Sequence, residues 1–275
     1  MRKFNVSSII IRGVLLLGVA FSAFPFYWMI VTASRATTEI YSVPPKFTLG
    51  DELLNNIYTV FESTSFFQSF LNTLFIAVVS TTLILFFDSL AGYTFAKLKF
   101  KGRHTLFVIL LSTMMIPGLL NIIPQFIMMD TIGWVGSYKA LIIPGMVNAF
   151  GIFWIKQYAE GAIPNTLLEA AKIDGCTTFG IYWKIALPIL RPSLAFLGLF
   201  TFMQSWNDYM WPLIILNDPE KFTLMLELTQ LQGLYFTNYP LVITGTLLAT
   251  IPILIVFFIF SKQLMSGITE GAIKE

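Results

Sequence analysis

Long apolar runs almost free of charge are what most restrict this chain. Gly13 to Val31 holds no charged side chain, and runs of similar length recur toward the C-terminal end. A helix that crosses the roughly 30 Å hydrocarbon core of a bilayer needs about 20 predominantly apolar residues. The pattern therefore predicts an all-α integral membrane protein. Composition agrees: of 275 residues, 56% are hydrophobic and 12% charged, with a mean hydropathy of +0.76. A soluble domain has roughly 45–50% apolar and about 25% charged residues.

Six transmembrane helices are predicted, at about 9–32, 69–96, 105–129, 140–158, 193–216 and 241–260, so that residues 1–275 form a single transmembrane domain. The first run exceeds the roughly 7–15-residue core of a secretory signal, and no small-residue cleavage site follows it cleanly. Arg12 stands at its inner edge, with a side chain long enough to snorkel. Residues 33–68 are polar and include an amphipathic piece, Leu53 to Phe61, suited to lying on the membrane. Pro117-Gly118, Pro124 and Pro144-Gly145 fall inside the third and fourth spans. Prolines there free carbonyls that neighbouring helices or water must satisfy, which predicts kinked helices facing protein or a cavity.

Lysine and arginine placement orients the chain. With the N-terminus inside, thirteen of the 17 basic residues lie on inner segments, and only Arg35, Lys46, Lys139 and Lys221 lie outside. The positive-inside rule predicts a multi-pass inner (cytoplasmic) membrane protein with both termini, the Lys97–Arg103 turn and segment 159–192 in the cytoplasm.

That last segment contains a polar interruption, Ile163 to Pro192. Pro164 suits a first helical turn and Gly175 a helix stop, which predicts a helix over 164–174. Thr177 or Thr178 then caps a second helix, 179–187, ended by Pro188. On the first helix Leu167, Ala170, Ala171 and Asp174 fall near one face. Small alanines there let another protein's backbone approach, with Glu169 and Lys172 flanking it. The same spacing also fits a surface loop lying on the membrane.

Glu169-Ala170-Ala171, Asp174-Gly175, Ile185, Leu187 and Pro188 resemble the EAA motif in the membrane subunits of bacterial ABC importers. Ser89 to Arg103, Phe202 to Leu213 and Gly267 to Lys274 resemble the carbohydrate-uptake branch, in particular the smaller permease subunit of maltose-type transporters. The likeness runs from about Phe70 to the C-terminus. Cys176 departs from it, where alanine is usual, and so does Glu275, where glycine is common. The resemblance implies a type I ABC importer permease fold with a cytoplasmic coupling-helix loop at 159–192, seated in a cleft of the ATPase by Glu169, Ala170, Ala171, Asp174, Gly175, Leu187 and Pro188. It implies a C-terminal tail, 261–275, reaching toward the ATPase through Gly267, Thr269, Gly271 and Lys274; a frayed end is the alternative. The implied partners are a second related permease, two ATPase subunits and an extracytoplasmic sugar-binding protein. The outer loop 217–239 corresponds by position to one that reaches toward that binding protein.

The chain offers little chemistry of its own. Gly175 to Gly180 has the outer spacing of a phosphate loop, but Ile181 and Tyr182 stand where Lys and Ser or Thr belong, so no cofactor is expected here; ATP and Mg are expected in the partner ATPase. The chain is not expected to be an enzyme, since no HExxH motif or paired carboxylates occur. A single cysteine excludes an intrachain disulfide and cysteine-based metal sites, and the lone His104 sits in a basic loop, so no metal is expected. The net charge of +2 argues against nucleic acid. Charge inside a bilayer is expensive and kept for function. Asp88 either faces a cavity or lies near the inner end of its helix beside Lys97. Trp206, Asn207 and Asp208 suit a sugar's apolar face and hydroxyls, or else Trp206, Tyr209 and Trp211 mark an aromatic belt. Two functions remain: a permease subunit forming half the pathway of an ATP-driven sugar or oligosaccharide importer, and a stand-alone secondary carrier or channel for a small polar solute.

Overall fold

The computed structural model describes the backbone of residues 6–233 and 237–272 and the side chains of 10–233 and 237–261. In chain order the helices are α1 (Val6–Ala33), α2 (Leu53–Ser63), α3 (Phe66–Lys97), α4 (Arg103–Thr113), α5 (Ile122–Thr131), α6 (Lys139–Ile142), α7 (Ala149–Ala162), α8 (Asn165–Ile173), α9 (Thr178–Ile189), α10 (Arg191–Trp206), α11 (Met210–Ile215), α12 (Leu224–Leu228) and α13 (Tyr239–Ala272), with single turns between some of them. The chain forms two compact units from interleaved segments: residues 1–66 with 227–251, and residues 67–226 with 252–275.

In the first unit the polar segment after α1 folds back on the helix end. Ser34 Oγ accepts from the Gly50 amide at 2.8 Å and the Ser34 carbonyl from Glu52 at 2.9 Å. Asn56, on α2, donates to the carbonyls of Ala33 (2.9 Å) and Arg35 (3.1 Å). Gly50 is required by this closeness, since a Cβ there would run into the Ser34 carbonyl. Arg35 is buried and donates to Glu39 at 3.3 Å and to the Thr48 carbonyl. Buried Glu227 accepts from the Ser65 amide at 2.7 Å.

The second unit is organised by one apolar cluster: Tyr93 and Ala96 on α3, Ile155 and Ala159 on α7, Leu168 and Ala171 on α8, Ile181 and Tyr182 on α9, Leu197 on α10. A Cβ on Gly92 would stand 2.7 Å from Ile155 Cβ, so α3 and α7 meet where glycine leaves room. A second cluster joins Met129, Ala140, Ile215, Leu216 and Leu226.

Among the described residues three helices, α1, α3 and α13, contain stretches long and apolar enough to cross a membrane. Two bent pairs would each supply one more: α4 with 118–131, turning 90° after Pro117, and α9 with α10, turning 78°. The run predicted as a fourth span, 140–158, is interrupted. α6 ends at Ile142, residues 143–148 are irregular, and α7 begins at Ala149, because Pro144 lacks an N–H and Gly145 favours a break. The predicted fifth span, 193–216, starts earlier, at Arg191, and stops at Trp206; residues 207–209 separate it from α11. Pro188 does not end the second coupling helix. One wide turn over Tyr182–Ala186 lets the helix continue to Ile189, since a π-type turn relaxes the ladder that proline disrupts. The predicted tail, 261–275, is helical up to Ala272 as the continuation of α13.

Candidate functional site: coupling elbow and polar chamber

The elbow is built by local rules. Pro164, extended at φ −65° and ψ 137°, sits one residue before α8 rather than inside it. At the other end the Gly175 N–H donates to the Lys172 carbonyl and the Cys176 N–H to the Ala171 carbonyl, both at 3.0 Å, with Gly175 at φ +82°. This is a Schellman stop, which wants glycine at its left-handed position. Thr177 Oγ1 then accepts from the Gly180 amide at 3.1 Å and starts the next helix.

The presented face of α8 differs from the predicted one. Leu168 and Ala171 are buried against the core, while Leu167, Glu169, Ala170, Ile173, Asp174 and Gly175 are exposed. Ala171 is a foot of the helix rather than part of its open face, because residues three apart share a face and Leu168 is drawn inward. Leu187 is half-buried and packs against the core cluster, and Pro188 is exposed. Sequence reasoning missed the large apolar side chains that extend this surface: Ile173 is 87% exposed, Phe179 58% and Trp183 51%. Their signal was an apolar residue beside Asp174 and two aromatics in an otherwise polar turn.

Helix α3 anchors the elbow from behind. Ser89 Oγ and Tyr182 Oη share a hydrogen bond of 2.8 Å, and the rings of Tyr93 and Tyr182 lie 5.6 Å apart. Lys97 donates to the Glu160 carbonyl at 3.2 Å and to Asn165 Oδ1 at 3.4 Å, tying the ends of α7 and α8 to α3. Of the tail residues, Gly267, Thr269 and Gly271 continue the backbone of α13; Lys274 lies outside the described residues.

Further along the second unit, Ser80, Ile84, Leu141, Gly145, Asn148, Thr201, Gln204, Ser205 and Asp208 line a cavity of about 420 Å³. Of the predicted trio only Asp208 reaches it. Trp206 is 0% exposed and packs on Phe70 (5.7 Å) and Phe202 (5.5 Å), so it is neither a sugar platform nor an interfacial marker. The Asn207 amide turns back to the Met203 carbonyl at 2.8 Å. Trp211 is also inward, its Nε1 donating to the Ala140 carbonyl at 3.0 Å. Asp88 is fully buried; its Oδ1 accepts from the Asn148 amide at 2.9 Å, while Oδ2 lies against Gly151. It faces the start of α7, not the Lys97 end of its own helix. A carboxylate suits that position, since a helix N-terminus carries partial positive charge. In the loop predicted to lie outside, Leu224 and Leu226 are buried, and Asn72 donates to the carbonyls of Glu220 (2.9 Å) and Phe222 (3.0 Å).

Among the described residues no cluster of three or more His, Cys, Asp or Glu is placed to hold a metal ion. Comparison with known proteins identifies the surroundings of these features. Residues 88–268 match the family described as binding-protein-dependent transport system inner membrane component. The arabinooligosaccharides transport system permease protein AraQ of Halalkalibacterium halodurans is 35% identical, over 98% of each chain. The lactose transport system permease protein LacG of Rhizobium radiobacter is 36% identical, over 98% of this chain and 97% of its own. In fold, the chain resembles a subunit of a bacterial ABC transporter involved in the import of the acidic polysaccharide alginate, with TM-score 0.81 at 23% identity, covering 96% of this chain and 98% of that one. A family match over most of the chain, joined to relatives above 30% identity along nearly its whole length, places this protein among the inner-membrane permeases of binding-protein-dependent ABC transport systems.

Proposed function

We propose that the chain forms half of the transmembrane pathway of an ATP-driven saccharide importer and is driven through its elbow by a separate ATPase. It works beside a second permease, two ATPase subunits that carry the ATP and Mg, and an extracytoplasmic binding protein. The observation that carries this reading is the elbow's two-sidedness. One face of α8 is locked into the core by Leu168 and Ala171, while Leu167, Glu169 and Ile173 on α8 and Phe179 and Trp183 on α9 stand exposed. Exposed apolar side chains grouped this way mark an interaction surface, and the rigid core behind them suits the transmission of force. Relatives named for arabino-oligosaccharides and lactose support a saccharide as the cargo.

In this reading the chain crosses the membrane six times with both termini in the cytoplasm. Helices α1, α3 and α13, the two bent pairs and the broken run α6–α7 supply the crossings. The tail beyond residue 261 extends toward the ATPase. The test is copurification of the cognate ATPase with membrane-extracted permease, together with uptake of a panel of neutral and uronate-bearing oligosaccharides. Retention of the ATPase and ATP-dependent uptake are expected. Uptake with no associated ATPase would favour the stand-alone carrier.

A further inference from the structure

The polar cavity has a composition unusual for the inside of a membrane protein. Ser80 and Ile84 stand near the middle of the 32-residue α3, which sets the cavity at the depth where apolar side chains are expected. Six of its nine lining residues are polar, and they come from α3, the break before α7, and α10 with the turn after it. Thr201 is satisfied by the Leu197 carbonyl at 2.8 Å. Asn148 spends its Oδ1 on the Phe150 amide at 2.8 Å, leaving its Nδ2 to the cavity. For the Gln204 amide and the Ser205 hydroxyl no partner is found among the described residues. Among the described residues Asp208 is the single charged one in the lining, and no lysine or arginine lies in that lining.

Resting on the permease reading above, we propose that this cavity is a hydrated saccharide subsite contributed by this chain, and that Asp208 restricts its cargo to neutral or cationic hydroxyl-rich solutes. The amide, hydroxyl and carboxylate groups that line it are the donors and acceptors that sugar hydroxyls require. A uronate carboxylate brought beside Asp208 meets like charge, with no cation to offset it, in surroundings of lower dielectric than water. Such a repulsive element discriminates between cargoes as effectively as added attraction does. The break at 143–148 is part of the design, because it opens α6–α7 at the depth of the cavity and aims Asn148 into it.

The binding protein selects cargo before the permease meets it, so the cavity's charge preference must be read without a sugar. With Cys176 replaced by Ser, a reporter cysteine is placed at Ser205 in the assembled transporter. Its modification by a positively charged and a negatively charged methanethiosulfonate of similar size is then timed in sealed membranes. Both reagents are expected to react, with the cationic one favoured, and Asp208→Asn is expected to cut the cation-to-anion rate ratio at least about tenfold. No modification by either reagent means a dry cavity and overturns the subsite. An unchanged ratio in Asp208→Asn overturns the charge assignment. Gln204→Leu is expected to lower uptake of the transported oligosaccharide several-fold while ATPase copurification is kept, and uptake equal to the parent's would overturn the role in passage. ATPase copurification is scored in the same preparations: its loss in the parent sinks the importer reading, whereas its retention with an unreactive cysteine sinks only the cavity.

Discussion

The elbow and the chamber lie in the same unit and are specified in opposite ways. The turns of the elbow come from residues a few positions apart: a proline before the helix, a glycine after it, a threonine cap for the next. The chamber is assembled from Ser80, Asn148 and Gln204, which are distant in sequence, and it depends on how α3, α7 and α10 pack. Local conformation therefore shapes the turns of the proposed ATPase-docking elbow, and long-range packing shapes the proposed cargo chamber. The two regions are joined by α7, whose first turn is held by Asp88 and whose last residues lead through Ile163 and Pro164 into α8.

This contrast is broken most severely at Gly175. A β-branched residue at φ +82° adds about 1–3 kcal/mol of backbone strain. Because a Cβ there meets nothing within 4 Å, the damage stays in the turn. Gly175→Val is expected to lower ATPase copurification and uptake at least about tenfold while membrane levels match the parent. Docking equal to the parent's would make the elbow a surface loop.

Gly151 tests the chamber side. A methyl group there runs into the Asp88 carboxylate, and overpacking of this kind costs typically about 1–3 kcal/mol. Gly151→Ala is expected to reduce uptake several-fold through a displaced α7, with ATPase copurification less affected than in Gly175→Val. Equal loss of both would erase the distinction between the regions.

Glu169 is exposed on the elbow, and a charge pair that stays wet at the rim of the ATPase cleft is worth roughly 0–1 kcal/mol. A titration of ATPase against Glu169→Ala permease is expected to show no more than about fivefold weaker binding; a larger drop would place the pair in a dry pocket. Lys97→Ala removes two long hydrogen bonds from an exposed ammonium, together worth about 1 kcal/mol or less. The expected result is a small rise in proteolytic cutting near 160–165, with uptake close to the parent's.

The elbow was largely legible before the structure because its signals are local. Gly175 predicts its own φ, and Thr177 its cap. The face was misassigned at Ala171, since spacing identifies which residues align but not which alignment the core accepts. Leu168 and the cluster around Ile155 and Tyr182 make that choice. Trp206 was misread for a related reason: an aromatic beside polar groups suits a sugar, yet Phe70 arrives from another helix and buries it. Ser80 and Gln204 carried no pattern at all until they were brought together.

By itself, the sequence determined that this chain belongs in a bilayer, where proline and glycine break several of its helices, and where the elbow turns. Those outcomes follow from hydrophobic transfer and from the φ and hydrogen-bonding limits of proline and glycine, which act within a few residues. Only the tertiary structure decided which side of α8 is presented, that Asp88 anchors α7, and that a carboxylate with no cation faces a polar cavity. These depend on close packing between residues separated in sequence by as few as 13 positions (Ile155 and Leu168) and as many as 128 (Ser80 and Asp208), and such packing selects one arrangement from many that the same helices would permit.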